Sequence, residues 1–386
     1  MLQNMVEPKR LEQVIRDLTE QPHLETTQGG EFVTNYIRDT WKRYGFEVEE
    51  PEYEVLMSFP QEDKPNKVSV INNDTKEVEY EMIGQLNVLG SLSFEIYRLA
   101  TKILFQHQQM TSGQGSKKVY KYTPYIAFSP SGTVEGELVF ADTGRQSDYL
   151  ELEKRNISLK GKIVILSHLF AKMDIPTKKG AAGFLRYHDP YFVAPEGQTF
   201  NDTYPNTIWM PPDAVHSVIG NTKNGDHFTP LLPSTCGMMR VSLNETYLEG
   251  LVPVQGISYE DALYLLSRMK GEVNVVMEGA GETVPAGMAG KLPIDYKFGP
   301  GFKPDSSNKT LIVKLEVNNQ YVTKKIRNVI ATIPGSEEPD RYVLIGNHKT
   351  AGLLVLQILQ VERQYFWKYR ESWQSSWRKV GDQEER

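Results

Sequence analysis

Apolar residues recur with helical spacing at the start of the chain. Leu11, Val14, Ile15 and Leu18 stand at i, i+3, i+4, i+7; Val33, Ile37 and Trp41 form a second stripe closed by Gly45. The pattern predicts two helices within residues 8–50, each turning an apolar face to a core. Over residues 46–58 it loosens to alternation, which predicts a strand. Residues 68–71 and 78–82 predict two more, paired across a turn at Asn72-Asn73-Asp74, so the chain opens as α+β. Residues 84–121 lose this regularity: an amphipathic run (Leu92, Ile96, Leu99, Ile103) leads into a Gln-, Ser-, Gly- and Lys-rich stretch at 106–118 that reads as an exposed loop.

Short apolar runs bounded by Gly return at 137–141 and 161–166, and the small residues of 178–187 lead into a further strand. Strands this closely spaced predict a β-rich inserted domain. Residues 259–269 predict a helix, with Ser258 as N-cap and Gly271 as its stop. Gly299-Pro300-Gly301 reads as a hinge. Strands are expected at 311–317, 328–333 and 342–346, the last two joined by the turn PGSEEPD.

A length of 386 residues allows two or three domains. The 39% hydrophobic content, with 20 Tyr and 15 Phe, belongs to a chain that folds. Lys+Arg 43 against Asp+Glu 49 gives a net charge of −6 with no long basic run, so nucleic acid is not an expected partner. The single Cys236 excludes an internal disulfide and a thiolate metal cluster. No basic flank precedes an apolar run at the N-terminus, so no signal peptide is expected. The most apolar stretch, 87–105, is broken by Glu95 and Arg98, so no membrane span is expected either. Five Asn-x-Ser/Thr sequons, at Asn73, Asn156, Asn201, Asn244 and Asn308, nonetheless exceed the about two that chance would give, and mark candidate glycosylation sites.

Six ordered segments carry a resemblance: SPSGTVEGELVFADTGR (129–145), GKIVIL (161–166), KKGAAGFLRYHDP (178–190), VPVQGISYEDALYLLSRM (252–269), FGPGF (298–302) and RNVIATIPGSEEPDRYVLIGNH (327–348). Together they resemble the glutamate carboxypeptidase II family, also called the N-acetylated-alpha-linked acidic dipeptidases, whose non-enzymatic relative is the transferrin receptor. The resemblance implies an α/β fold: a partial aminopeptidase-like zinc protease domain carrying an inserted β-rich protease-associated (apical) domain. It places the first part of the protease-like domain at 1–82, an irregular insertion at 83–123, the apical domain at 124–310, and the resumption of the protease-like domain at 311–349. The family's ectodomain follows a type II membrane anchor and ends in a helical dimerisation domain; neither is expected in this chain.

The resemblance further implies a parent that uses two zinc ions to remove C-terminal glutamate from acidic glutamyl peptides or folate polyglutamates. Two cations polarise the scissile carbonyl and generate the attacking hydroxide, which demands several converging carboxylates and imidazoles. Of that ligand set this sequence keeps His348 alone. It reads His348-Lys349-Thr350-Ala351-Gly352 where the family reads HRDxW, and Ile358 stands where the bridging Asp belongs. The chain by itself is therefore expected to bind no zinc and to be inactive. Thr229, in FTPLLP, matches a threonine of the family's structural calcium site, but Leu232 replaces the expected Tyr. VHSVIG at 215–220 replaces a substrate-contacting stretch. His168, His188, His216 and His227 are scattered and read as surface or hydrogen-bonded residues; Glu337, Glu338 and Asp340 read as a solvated turn.

Residues 350–386 change character, with three of the five Trp (Trp367, Trp373, Trp377), one Asp and no Pro. Read one base out of register from Gly352, permitted codon choices give an Asp-Pro overlapping Gln357 and Ile358, then Ser-Ser-Gly, and later Gly-Trp-Arg-Pro-Arg, as in the family. The tail is thus expected to be an aberrant, frame-shifted reading. The alternative is a divergent helix along Leu354, Ile358, Val361 and Tyr365. Two function classes follow: the N-terminal portion of a zinc metallopeptidase, or a non-catalytic, transferrin receptor-like protein-binding module.

Overall fold

The computed structural model describes residues 7–19, 23–82, 86–89, 119–167, 174–190, 212–215, 225–272, 292–304, 309–336 and 341–349. The chain forms two compact units. One comprises Met1–Glu52, Leu89–Tyr120 and Ile326–Arg386; the other comprises Tyr53–Val88 and Lys121–Lys325.

In the first unit the two expected helices are α1 (Pro8–Thr19) and α2 (Gln28–Arg43). Thr27 caps α2, its hydroxyl accepting the Gly30 N–H at 3.3 Å. Val33 of the second stripe is buried, but Leu11 of the first is 47% exposed, so the α1 stripe is not a core face throughout. The expected strand at 46–58 forms as two, β1 (Glu47–Glu49) in this unit and β2 (Glu52–Phe59), which from Tyr53 on belongs to the second.

The second unit holds the core. The expected hairpin is β3 (Lys67–Asn72) with β4 (Val78–Met82), paired antiparallel, and the Asn72 side chain closes its turn by accepting the Asp74 N–H at 2.9 Å. Strands β5 (Leu86–Leu89) and β6 (Val119–Tyr122) pair with each other, and the rest of the amphipathic run and loop read at 84–121 lies outside the described residues. Then follow β7 (Gly132–Gly136), β8 (Leu138–Phe140), α3 (Gln146–Lys154), β9 (Ile163–Leu166), α4 (Asp174–Lys178), β10 (Gly183–Arg186), β11 (Val254–Gly256), α5 (Tyr259–Ser267), β12 (Leu311–Val317) and β13 (Gln320–Arg327). The last strand, β14 (Ile330–Thr332), belongs to the first unit and pairs antiparallel with β1.

Two four-stranded sheets organise the second unit. One is antiparallel in the order β4-β3-β12-β7; the other runs β11-β10-β9-β8 with every neighbour parallel. The closely spaced strands thus include a parallel α/β layer: parallel neighbours need a crossover, and α3 and α4 supply two of them. This also explains why β9 reads Ile-Val-Ile-Leu without alternation, since a parallel strand is covered on both faces. Val68, Val70, Val313 and Leu315 of the antiparallel sheet meet Phe140, Ile165 and Leu185 of the parallel one, together with Leu265 and Leu266 of α5, in one buried cluster.

Ser258 caps α5 as expected, its hydroxyl accepting the Asp261 N–H at 3.0 Å. Ser258→Ala should cost about 1 kcal/mol of unfolding free energy, read as a lower urea midpoint at unchanged slope.

Two expectations fail. The Gly299-Pro300-Gly301 hinge is instead a clamped segment: Phe140 N donates to Phe298 O at 3.0 Å, Gly301 N to Leu138 O at 2.7 Å, and Gly299 N to Lys270 O at 3.1 Å. Glycine is required there because Gly271 and Gly299, at φ of +100° and +86°, press backbone to backbone; a Cβ on Gly271 would sit 2.5 Å from the Gly299 carbonyl oxygen. The strand expected at 342–346 does not form. Tyr342, Val343, Leu344 and Ile345 are 75–91% exposed, because β14 pairs with β1 and no described strand offers the segment a ladder. Conversely, β13 was hidden by Lys324 and Lys325 and appears only through its pairing with β2.

Candidate metal centre

His348 lies in the exposed 341–349 segment of the first unit, held from one side by its neighbour. The Lys349 ammonium donates to both oxygens of Glu25, at 2.7 and 3.0 Å, and to Thr34 Oγ1 of α2 at 2.9 Å, while the His348 N–H donates to Asn347 Oδ1 at 2.8 Å. Lys349 and Glu25 are both largely buried, with side-chain exposures of 14% and 13%. This pairing fixes the main chain at the base of the imidazole. A zinc pair would need several further ligands. Among the described residues, no three His, Cys, Asp or Glu side chains converge where they could hold a metal ion, so the donors present do not fit a dinuclear zinc centre.

Thr229 is in the second unit, 2% exposed, in a loop braced by a carboxylate that the sequence had not singled out. Its hydroxyl donates to Asp226 Oδ2 at 3.0 Å and lies 2.6 Å from the Ser234 hydroxyl. Asp226 also accepts the Leu56 N–H at 2.6 Å and the Phe228 N–H at 3.2 Å, and Arg240 joins it to Glu54 at 3.8 and 3.1 Å. The Thr229 oxygen is thus engaged in a hydrogen-bonded network that ties the loop to β2. Nothing in the sequence pointed to Asp226, Glu54 and Arg240, because their contacts close over long separations.

Of the other histidines, His188 and His227 are each only 7% exposed rather than at the surface. The His227 ring sits edge-on to Phe128 and Tyr247, at centroid distances of 4.4 and 4.9 Å, and burial holds its pKa below the usual value. His168, His216, the acidic turn at Glu337, Glu338 and Asp340, and residues 350–386 lie outside the described residues, as do Asn201 and Asn308. Asn73, Asn156 and Asn244 are all exposed.

A second polar cluster gathers where the parallel strands end. Asp142 follows β8, Ser167 follows β9, and Tyr187 and Asp189 follow β10. Ser167 Oγ donates to Asp142 Oδ1 at 3.3 Å, while Tyr296 and Tyr187 donate to Asp189 Oδ2 at 2.7 and 3.3 Å. Burial, reinforced by Asp148 and Asp189 nearby, pushes the Asp142 carboxyl up to about 7. Burial first, then the Asp189 charge, drives the Tyr187 and Tyr296 hydroxyls well above their usual value.

No family model matches the chain. The fold is α/β, and the sequence comparisons return metallopeptidases of the glutamate carboxypeptidase kind. The chain is 30% identical over 352 residues to mouse aminopeptidase NAALADL1, covering 89% of this chain and 43% of that protein. It is 30% identical over 358 residues to a Caenorhabditis briggsae glutamate carboxypeptidase 2 homolog, covering 90% and 42%. Mouse transferrin receptor protein 2 matches at 29% identity over 232 residues, 59% of this chain and 26% of the receptor. Among solved structures, a peptidase M28 precursor from Shewanella amazonensis aligns with a TM-score of 0.38 at 14% identity, over 88% of this chain and 54% of that one. Over most of its length the chain is thus similar to glutamate carboxypeptidase II homologues and their relatives, and more distantly to a transferrin receptor, which is consistent with that family. It spans less than half the length of the curated relatives it matches.

Proposed function

We propose that this chain is the N-terminal portion of a glutamate carboxypeptidase II-like zinc metallopeptidase and is inactive by itself. The whole protein's reaction in this reading is zinc-assisted release of C-terminal glutamate from acidic peptides or folate polyglutamates. The observation that carries it is the retention of His348 alone in a sequence that otherwise follows glutamate carboxypeptidase 2 homologs for most of its length. In the same reading, residues 124–310 correspond to the protease-associated domain and 1–82 with 311–349 to the start of the protease domain. Within this chain His348 contributes one imidazole and Lys349 holds its backbone against α2. One imidazole does not hold Zn²⁺, and the carboxylate general base that the family places beside its zinc ligands is not among the residues this sequence retains.

The purified chain, supplied with zinc and N-acetyl-aspartyl-glutamate, should release no glutamate above a buffer blank. Zinc-dependent release that is lost in His348→Ala would overturn the reading. Sequencing the messenger across codons 345–386 addresses the tail: an alternative frame that meets stop codons there removes the frame-shift account.

The match to transferrin receptor protein 2 favours a second reading, a protein-binding module without metal chemistry. Saturable capture of one protein by the intact chain, unaffected by His348→Ala and by chelators, would support it over the first.

A further inference from the structure

The last residue of β10 is anomalous. Arg186 ends the apolar run Gly-Phe-Leu-Arg, is 4% exposed, and has no hydrogen-bond partner at Nε or Nη1. Its neighbours Leu185 and Tyr187 turn into the core cluster between the sheets, so Arg186 and Phe184 occupy the opposite face of the parallel sheet. In register beside it stand Leu166 on β9 and Gly256 on β11, one aliphatic and the other without a side chain. Among the described residues no carboxylate acts on it; burial lowers its pKa, to about 10, so the guanidinium is still a cation at neutral pH. A buried cation without a counter-charge is strongly unfavourable, and an arginine kept in such a place calls for an anion to complete it.

Two features narrow the ligand. Position comes first: Arg186 is at the carboxyl end of an inner strand of a parallel sheet, the edge at which α/β sheets receive ligands. Chemistry comes second: a planar guanidinium matches a carboxylate's geometry better than a spherical ion's. We infer that Arg186 is an anion-binding residue that receives the carboxylate of a small ligand at the carboxyl end of β10. This site lies in the second unit and is independent of His348 and of any zinc chemistry.

The test is thermal unfolding of the full chain at fixed ionic strength with acetate, against acetamide as its uncharged analogue. Acetate should raise the wild-type Tm saturably and acetamide should not. Arg186→Met, similar in length but uncharged, should lose the acetate response while being no less stable than the wild type without anion; Arg186→Lys should respond more weakly than the wild type. A short peptide with a free C-terminus, compared with its amide, separates the sources. Added response to the free acid assigns a peptide terminus, and response to acetate alone assigns a small free carboxylate. Equal responses to acetate and acetamide in the wild type, or an undiminished acetate response in Arg186→Met, would overturn the assignment; the first comparison needs no variant to fold.

Discussion

Phe140→Ala should destabilise the second unit by about 3–5 kcal/mol, a large share of the about 5–15 kcal/mol that usually holds a domain folded. Phe140 is fully buried on β8, its ring stacked on Tyr296 with centroids 5.3 Å apart, inside the cluster where both sheets and α5 meet. Removing the ring leaves a cavity that the clamped 298–301 segment cannot close, because Phe298 and Gly301 are tied to β8 through main-chain bonds on either side of it. The measurement is urea unfolding followed by circular dichroism, with Phe140→Leu expected to recover most of the loss. A midpoint for Phe140→Ala within experimental error of the wild type would mean that the core is not where the sheets meet.

The elements that could be read from the sequence are those whose cause is local. Apolar runs between glycines gave β8, β9 and β10; Ser258 and Gly271 bounded α5; Asn72 marked the turn of the β3–β4 hairpin. What escaped depends on partners far away in the chain. Strand β12 pairs with β3 from Leu311 opposite Asn72 to Glu316 opposite Lys67, a register that no local pattern specifies. The parallel order of β11-β10-β9-β8 was hidden in the same way, and strand spacing alone suggested a β-rich insert. The same division holds at the candidate sites. His348 is singled out by the contiguous segment that ends on it, whereas the Arg240–Glu54 contact joins residues 186 positions apart. Residues 342–346 show the converse, an apolar run with strand composition that stays exposed because composition does not supply a hydrogen-bonding neighbour.

The stability of the second unit should fall as pH rises from about 4 to about 7, and Asp142→Asn should abolish that fall. Asp142 is half-buried after β8 at φ +45°, with Asp148 and Arg145 facing it from the start of α3, Ser167 from the end of β9, and Asp189 and Tyr187 from the end of β10. Its carboxyl is raised from 3.8 to about 7 chiefly by burial and then by the Asp148 charge; the Ser167 hydrogen bond opposes the rise by more than Asp189 adds to it, and Arg145 opposes it least. Between those two values the folded chain holds a proton that the unfolded chain has released, so unfolding becomes easier with each step upward in pH. The stabilising contribution is complete below about 4 and gone above about 7, where the folded state must bury the ionised carboxylate. At about 1.4 kcal/mol per pH unit, the gap is worth about 4 kcal/mol. Asparagine keeps an oxygen for the Ser167 hydroxyl, tolerates the left-handed backbone and never ionises. Urea titrations at pH 4, 6 and 8 should therefore show the two proteins nearly equal at pH 4 and the Asp142→Asn variant more stable by up to about 4 kcal/mol at pH 8. Parallel stability curves across that range would show that the Asp142 carboxylate is solvated in the folded protein.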